Sequence, residues 1–487
     1  MREAGMLLHI SSLPSDYSIG SIGHNAYKFV DFLESCGMHI WQIMPIGPTS
    51  YGDSPYQGVS AFAFNPYFID LELLAEDGLL LNEELPEAKK SFQVDYGDLF
   101  NNRFNVLRKA FSRRRKVQTK FKRFRDEEEY WLKDYAIYMV LKEKHNYASW
   151  DTWEDEYKFR DPKAIEKLLI DEKEKILEWQ FYQFIFYDQW QRLKKYANMH
   201  GVKIMGDMPI YCAYDSTDVW SKPNDFQLDE NLKPTCVAGC PPDAFSADGQ
   251  LWGNPLYNWE NMKNDDYSWW VLRVKHALKV FDVLRIDHFR GFAGYFSIPY
   301  GDSTARGGHW EEGPRYQLFD RIKKECPNAN IVAENLGLLT PDVMELLEKC
   351  GFPGMNIFQF EWGDWNYNVP IYKPYPTNNV FYSGTHDNQM ITSFYESLDE
   401  WHKQKINGLV GINWGDTPSR KIIEWCMRTP CDMCIIPLQD FLGLTDEVGR
   451  MNIPSKASGN WQYIAKESDF SLDLLNYIKW IVKDSNR

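Results

Sequence analysis

The chain has 487 residues, with 69 acidic against 54 basic side chains and a net charge of −15, which argues against nucleic acid or an anionic membrane as its main partner. Nine cysteines scattered over that length suit reduced thiols better than a disulfide framework. The start of the chain has no long apolar stretch of the signal-peptide kind, and no run approaches the roughly 20 residues of a membrane span, so a cytoplasmic location is expected.

Eight short apolar segments read as buried parallel strands ending in polar or turn residues: 5–10, 39–45, 202–208, 280–286, 330–333, 354–360, 379–383 and 432–437. Helical patterns at 25–36, 269–278 and 341–349 separate several of them. Strands alternating with helices imply βαβ units, and eight such strands point to a closed (β/α)₈ TIM barrel rather than an open sheet. The whole chain, 1–487, is expected to be one catalytic barrel with large insertions around its C-terminal mouth.

The spacing is uneven. Between the second and third strands, residues 51–98 read as loop, rich in Gly, Pro and aromatics, and 101–146 and 162–200 read as helices. An insertion subdomain over about 51–200 follows from that pattern. The basic stretch 103–125, followed by Asp126 to Glu129, reads as a solvated helix face with its own counter-charges rather than an anion site. A second insertion, about 211–267, reads as a long loop, and such loops in compact chains are usually functional. The pairs Cys236/Cys240 and Cys431/Cys434 lack the second half of a zinc site. No metal and no cofactor is expected.

If the barrel is right, chemistry gathers where the strands end. Acids crowd those positions: Asp207 after the third strand, Asp287 after the fourth, Glu334 after the fifth and Asp387 after the seventh. Any one could be a solvated loop residue, but four in succession at one end of a sheet are harder to dismiss. Arg285 and Asp287 are two apart, so both face the interior while Leu284 and Ile286 pack outward. A guanidinium there is expected to lower the Asp287 pKa and keep it ionised, as attack on a sugar's anomeric carbon requires; the alternative is an ion pair that only braces the barrel. Glu334 has no cation beside it in sequence, so burial would raise its pKa and suit a proton donor. Asp387, beside His386, could hydrogen-bond sugar hydroxyls and support an oxocarbenium-like transition state. The chain's 19 Trp and 28 Tyr also suit a cleft that stacks rings on sugars.

The motifs RIDHFRGF at 285–292, AENLG at 333–337 and THDN at 385–388, in this order, resemble the 4-α-glucanotransferases known as amylomaltases or disproportionating enzymes, within the α-amylase superfamily. The resemblance extends over Ser11 to Pro14, Tyr51 to Tyr56, Gly206 to Tyr211, Pro241 to Asp243, Leu251 to Pro255 and Gly449 to Pro454; Ser455 departs from the glycine expected there. It implies Asp287 as nucleophile, Glu334 as acid/base and Asp387 as transition-state stabiliser. Tyr56, Asp207, Trp252, Arg285 and His386 are implied to contact the cleaved glucose, and Tyr51 to hold a second glucan segment. The segments 241–259 and 452–461, the latter with Asn452, look like two arms framing the cleft. The implied substrates are maltooligosaccharides and starch- or glycogen-derived glucans, with glucose as acceptor. The rival expectations are an α-glucan hydrolase with the same carboxylates, a non-catalytic glucan-binding protein and a metal-dependent barrel hydrolase. Oligomeric state, donor length and the formation of large cyclic glucans are not legible.

Overall fold

The computed structural model describes residues 2–50, 52–242, 247–337, 339–361, 375–454, 456 and 458–487. Among them, strands run in chain order as β1 (Glu3–Leu7), β2 (Ile40–Gln42), β3 (Lys203–Met208), β4 (Cys236–Cys240), β5 (Gln250–Pro255), β6 (Val283–Ile286), β7 (Gly294–Pro299), β8 (His309–Glu312), β9 (Ile331–Ala333), β10 (Gly354–Ile357), β11 (Asn379–Tyr382) and β12 (Met433–Pro437).

Eight of these, in the order β10-β11-β12-β1-β2-β3-β6-β9, form one all-parallel sheet, and they coincide with the eight apolar segments. The two ends of that order meet. Ala333 N–H donates to Pro353 O at 2.9 Å and Met355 N–H to Asn335 Oδ1 at 2.7 Å, closing the barrel by a seam in which a side chain stands in for backbone. Gly354 is required there, because a Cβ would lie 2.8 Å from the Asn335 amide.

Strand alternation divides the core in two. Leu7, Ile40, Met205, Val283, Val332, Val380 and Ile435 fill the barrel interior. Their neighbours Met6, Trp41, Ile204, Leu284, Phe381 and Ile436 face the helices, so both faces are buried and the interior is packed rather than a pore. The helix His24–Cys36 shows why these segments are helical: Ala26, Phe29, Val30 and Leu33 repeat on one buried face, and Gly37 ends it in the left-handed region at φ 76°.

The chain from β2 to β3 is mostly helical after residue 99, including the 27-residue helix Lys173–Met199. Two buried glutamines on that helix hold the preceding loop. Gln183 accepts from Phe64 N–H and donates to Phe64 O, and Gln189 does the same with Asp70. The loop-like reading of 51–98 missed the helix Leu71–Glu76, capped by Asp70. The basic stretch finds most of its counter-charges outside itself: Arg108 with Glu178, Arg113 with Glu84, Arg114 with Glu174 and Lys120 with Asp188. Only Arg123 uses a local acid, Glu127.

The segment 211–267 is not structureless. It supplies β4 and β5, which join β7 and β8 in a second, antiparallel sheet of order β5-β4-β7-β8. Among the described residues no helix is long and apolar enough to cross a membrane.

Candidate active site

The acids meet at the C-terminal ends of the parallel strands. Asp207 is on β3, Asp287 follows β6, Glu334 follows β9, and His386 and Asp387 stand in the loop after β11. Gly206 makes room for this: a Cβ would lie 2.3 Å from the Phe281 ring packed against the strand.

Arg285 points inward from β6 and is almost fully buried. Its Nη1 lies 2.7 and 2.6 Å from the two Asp207 oxygens and 3.0 Å from Asp287 Oδ1. One cation therefore serves two carboxylates, and Asp207 holds the shorter contacts. Tyr56 OH donates to Asp207 Oδ2 at 2.8 Å and sits 3.3 Å from His386 Nδ1, its ring stacked on the imidazole at 4.8 Å. His386 Nε2 lies 3.4 Å from Asp387 Oδ1, which also accepts from Asn452 Nδ2 at 2.6 Å.

Glu334 is held differently. Among the described residues it touches no cation; Oε2 accepts from His288 N–H and Oε1 from Leu336 N–H, each at 2.7 Å. Burial moves its pKa up, outweighing the pull of Arg285 and of these two bonds.

Burial, with Asp207 and Glu334 nearby, also pushes the Asp287 carboxyl up, to about 7, against the pull of Arg285. This is opposite to the direction expected from the Arg285/Asp287 spacing, because burial outweighs the pull of a guanidinium that is also shared with Asp207. Two neighbouring carboxyls both raised by burial titrate as a pair and share a single negative charge over part of the range. Arg285 at 3.0 Å draws that charge to Asp287, whose side chain is 27% exposed, and leaves the proton on Glu334. For Asp387, burial is outweighed by His386 and by the Asn452 hydrogen bond, which hold it down at about 2. His386 is raised in turn, because Asp387 overcomes the cost of burial.

Tyr56, Trp252, Asp287, His386, Asp387 and Asn452 line a cleft of about 400 Å³. Tyr56 and His386 form one wall with Trp461, whose ring is 5.8 Å from His386. Trp252 on β5 forms the other, packed edge-on to His288 at 4.9 Å. The structure thus brings Tyr56, Asp207, Trp252, Arg285, Asp287, Glu334, His386, Asp387 and Asn452 to one place. Tyr51, Asp243 and Ser455 lie outside the described residues.

Three residues at the site were not singled out from sequence. His288 has φ 51° and ψ 49°, left-handed values that a non-glycine residue rarely adopts; this turn aims its N–H at Glu334. Arg450 donates to the backbone oxygens of Asp387 and Asn452, at 2.9 and 2.8 Å, tying the arm to the loop. Buried Asp440 accepts from Ser383 Oγ at 2.6 Å and Ile391 N–H at 2.8 Å, bracing both ends of the loop that carries His386 and Asp387. His288 and Arg450 lie inside motifs quoted above, so position next to an assigned acid was the available signal. Asp440 offered none. Among the described residues no group of three or more His, Cys, Asp or Glu is arranged to hold a metal ion.

The family model described as 4-alpha-glucanotransferase matches residues 8–468. The 4-alpha-glucanotransferase of Clostridium butyricum is 45% identical over 485 residues, 97% of this chain and 98% of its own. That of Thermus thermophilus is 39% identical over 477 residues, 95% of this chain and 94% of its own. The amylomaltase from Streptococcus agalactiae, solved in complex with acarbose, matches at a TM-score of 0.96 and 37% identity over 100% of both chains. The amylomaltase from Corynebacterium glutamicum shares the fold, with a TM-score of 0.77 at 17% identity, over 99% of this chain and 75% of its own.

Proposed function

The chain belongs to the 4-alpha-glucanotransferase family and is an enzyme of that type, and from that premise we propose how its residues divide the work. Asp287 attacks the anomeric carbon of an α-1,4-linked glucan while Glu334 protonates the departing 4-oxygen. A glucan is left bonded to Asp287. The 4-hydroxyl of a second glucan, or of glucose, then gives its proton to Glu334 and displaces Asp287, restoring an α-1,4 bond. Bond number is conserved, so chain lengths are redistributed.

The observation that carries this reading is the unequal support of the two carboxyls. Asp287 has a guanidinium within 3.0 Å, whereas among the described residues the Glu334 carboxylate is bonded by two backbone N–H groups and feels Arg285 from farther away. That difference supports charge on Asp287, as nucleophile, and a proton on Glu334, as acid, before reaction. Once the leaving group has gone, the same two N–H bonds stabilise Glu334 as the base of the second step. Asp387, held near 2, stays ionised throughout and faces the positive charge that develops on the sugar ring. Tyr56, Asp207 and His386 form a hydrogen-bonded wall for the hydroxyls of that sugar, and Trp252 supplies an apolar face.

The substrates proposed are maltooligosaccharides and starch- or glycogen-derived α-1,4-glucans, with glucose as acceptor, used in the cytoplasm. Tyr51 is proposed as part of a second glucan contact. Residues 51–200 and 211–267 are proposed as the two insertions on one catalytic barrel.

Incubation with maltotriose tests the function. Longer maltooligosaccharides and glucose should appear while total reducing ends stay constant. Reducing ends rising in step with bond loss would mean a hydrolase with the same carboxylates and would overturn the transfer reading.

A further inference from the structure

Two networks meet at Asp287. One joins Arg285, Asp207, Tyr56, His386 and Asp387 around the position of the sugar under attack. The other joins Glu334, His288 and Trp252. Glu334 is the group proposed to protonate the leaving oxygen, so a side chain attached to its network and open to the cleft stands beside the sugar that departs or arrives.

His288 is such a side chain. Its backbone N–H holds Glu334 Oε2 at 2.7 Å. Its ring lines the cleft and is fixed in plane by the Trp252 ring, 4.9 Å away at 90°. Among the described residues neither ring nitrogen has a hydrogen-bond partner, although Glu334, Asp287 and Trp252 are all adjacent. Burial, with Arg290 nearby, moves its pKa down to about 4, so the ring is neutral near pH 7. A neutral imidazole offers one N–H donor and one lone pair, which matches a pair of neighbouring sugar hydroxyls, one accepting and one donating. The left-handed backbone conformation is retained at a non-glycine residue, where glycine would adopt it without strain.

We propose that the His288 imidazole binds the hydroxyls of the acceptor glucose unit and so sets the preference for a glucan over water in the second half-reaction. This rests on the transfer mechanism given above.

The test compares the wild type with His288→Gly and His288→Asn, using maltotriose as donor and added glucose as acceptor. Glycine keeps the left-handed backbone and removes the ring; asparagine tolerates that backbone and returns a donor and an acceptor. The readouts are KM for acceptor glucose and the ratio of transfer to hydrolysis. The ratio compares two fates of one intermediate, so a general loss of rate cancels from it. In His288→Gly the acceptor KM should rise about tenfold, as loss of a hydrogen bond or two implies, and the ratio should shift toward hydrolysis. His288→Asn should recover part of both. If the ratio and acceptor KM in His288→Gly match the wild type, the assignment is overturned while the transfer mechanism stands. A uniform fall in both fates with acceptor KM unchanged also overturns it, because His288 would then act only through Glu334. A wild type that hydrolyses without transferring overturns the mechanism and the assignment together.

Discussion

The two ends of the barrel use arginine in opposite ways. At the mouth, Arg285 is buried among acids and shared between Asp207 and Asp287, so the charges there are incompletely compensated. At the floor, Arg2 and Arg487 bond to backbone oxygens. Arg487 donates to Met427 O at 2.7 Å, Thr429 O at 2.8 Å, Cys431 O at 2.9 Å and Glu3 O at 3.2 Å. Arg2 reaches Ser485 O at 3.0 Å and Met427 O at 3.2 Å. The oxygens of Met427, Thr429 and Cys431 lie at the C-terminal end of the helix Pro418–Arg428 and in the turn leading to β12, and that of Ser485 at the end of the helix Leu472–Asp484, where carbonyls lack intrahelical partners and carry partial negative charge. The floor guanidiniums satisfy what the fold leaves open. The mouth guanidinium holds carboxylates in an arrangement that favours reaction over stability.

That contrast can be broken most directly at Asp287. Asp287→Asn should lower maltotriose transfer by about 10⁴-fold or more, since no other group can form the covalent bond; a variant retaining a tenth of wild-type activity would remove the assigned nucleophile. Glu334→Gln should lower turnover by roughly 10²–10⁴-fold and abolish the alkaline limb of the pH–rate profile, which reports loss of the Glu334 proton. Arg487→Ala sharpens the contrast from the other end. It should cost about 1–3 kcal/mol of stability and lower Tm while leaving kcat on maltotriose unchanged; a fall in kcat would show that the floor is not independent of the mouth.

The smallest effect expected is a rise in Tm. Folded Asp287 has its pKa raised to about 7, above the unfolded value of about 4. The folded Asp287/Glu334 pair, which shares a proton over that range, therefore binds more protons than the unfolded chain, and the contribution of the pair to stability is present below about pH 4 and lost as pH rises through about 7. Asp287→Asn removes that loss, so thermal melts should show the variant more stable than wild type at pH 8 and equal to it near pH 4. Equal melting at both values would mean the mouth carries no such cost.

The eight parallel strands were legible because both of their faces are buried, which writes an unbroken apolar run into the sequence. The acids were legible because each follows such a run. The antiparallel sheet was not. Its strands do not alternate, as in His309–Glu312, and β4 pairs with β7 across a stretch containing β5 and β6. The partners of the basic stretch were hidden for a related reason: Arg108 and Arg114 meet acids on a helix that begins at Lys173. The direction of the Asp287 shift required knowing that Asp207, on a different strand, competes for Arg285. Two-residue spacing gave the pair but not its rival.

The seam between β9 and β10 makes the barrel a split ring. Elsewhere each strand is bonded to its neighbour by a backbone ladder, whereas here one backbone bond and one asparagine side chain close the circle. Such a joint is where amide protons should exchange with solvent first, ahead of the rest of the sheet. Glu334 stands directly on one lip of it, and Asp287 on the adjoining strand away from the gap. Slow breathing of the seam would therefore tilt Glu334 while leaving Asp287 fixed, so heating should blunt turnover at temperatures where the sheet as a whole still holds.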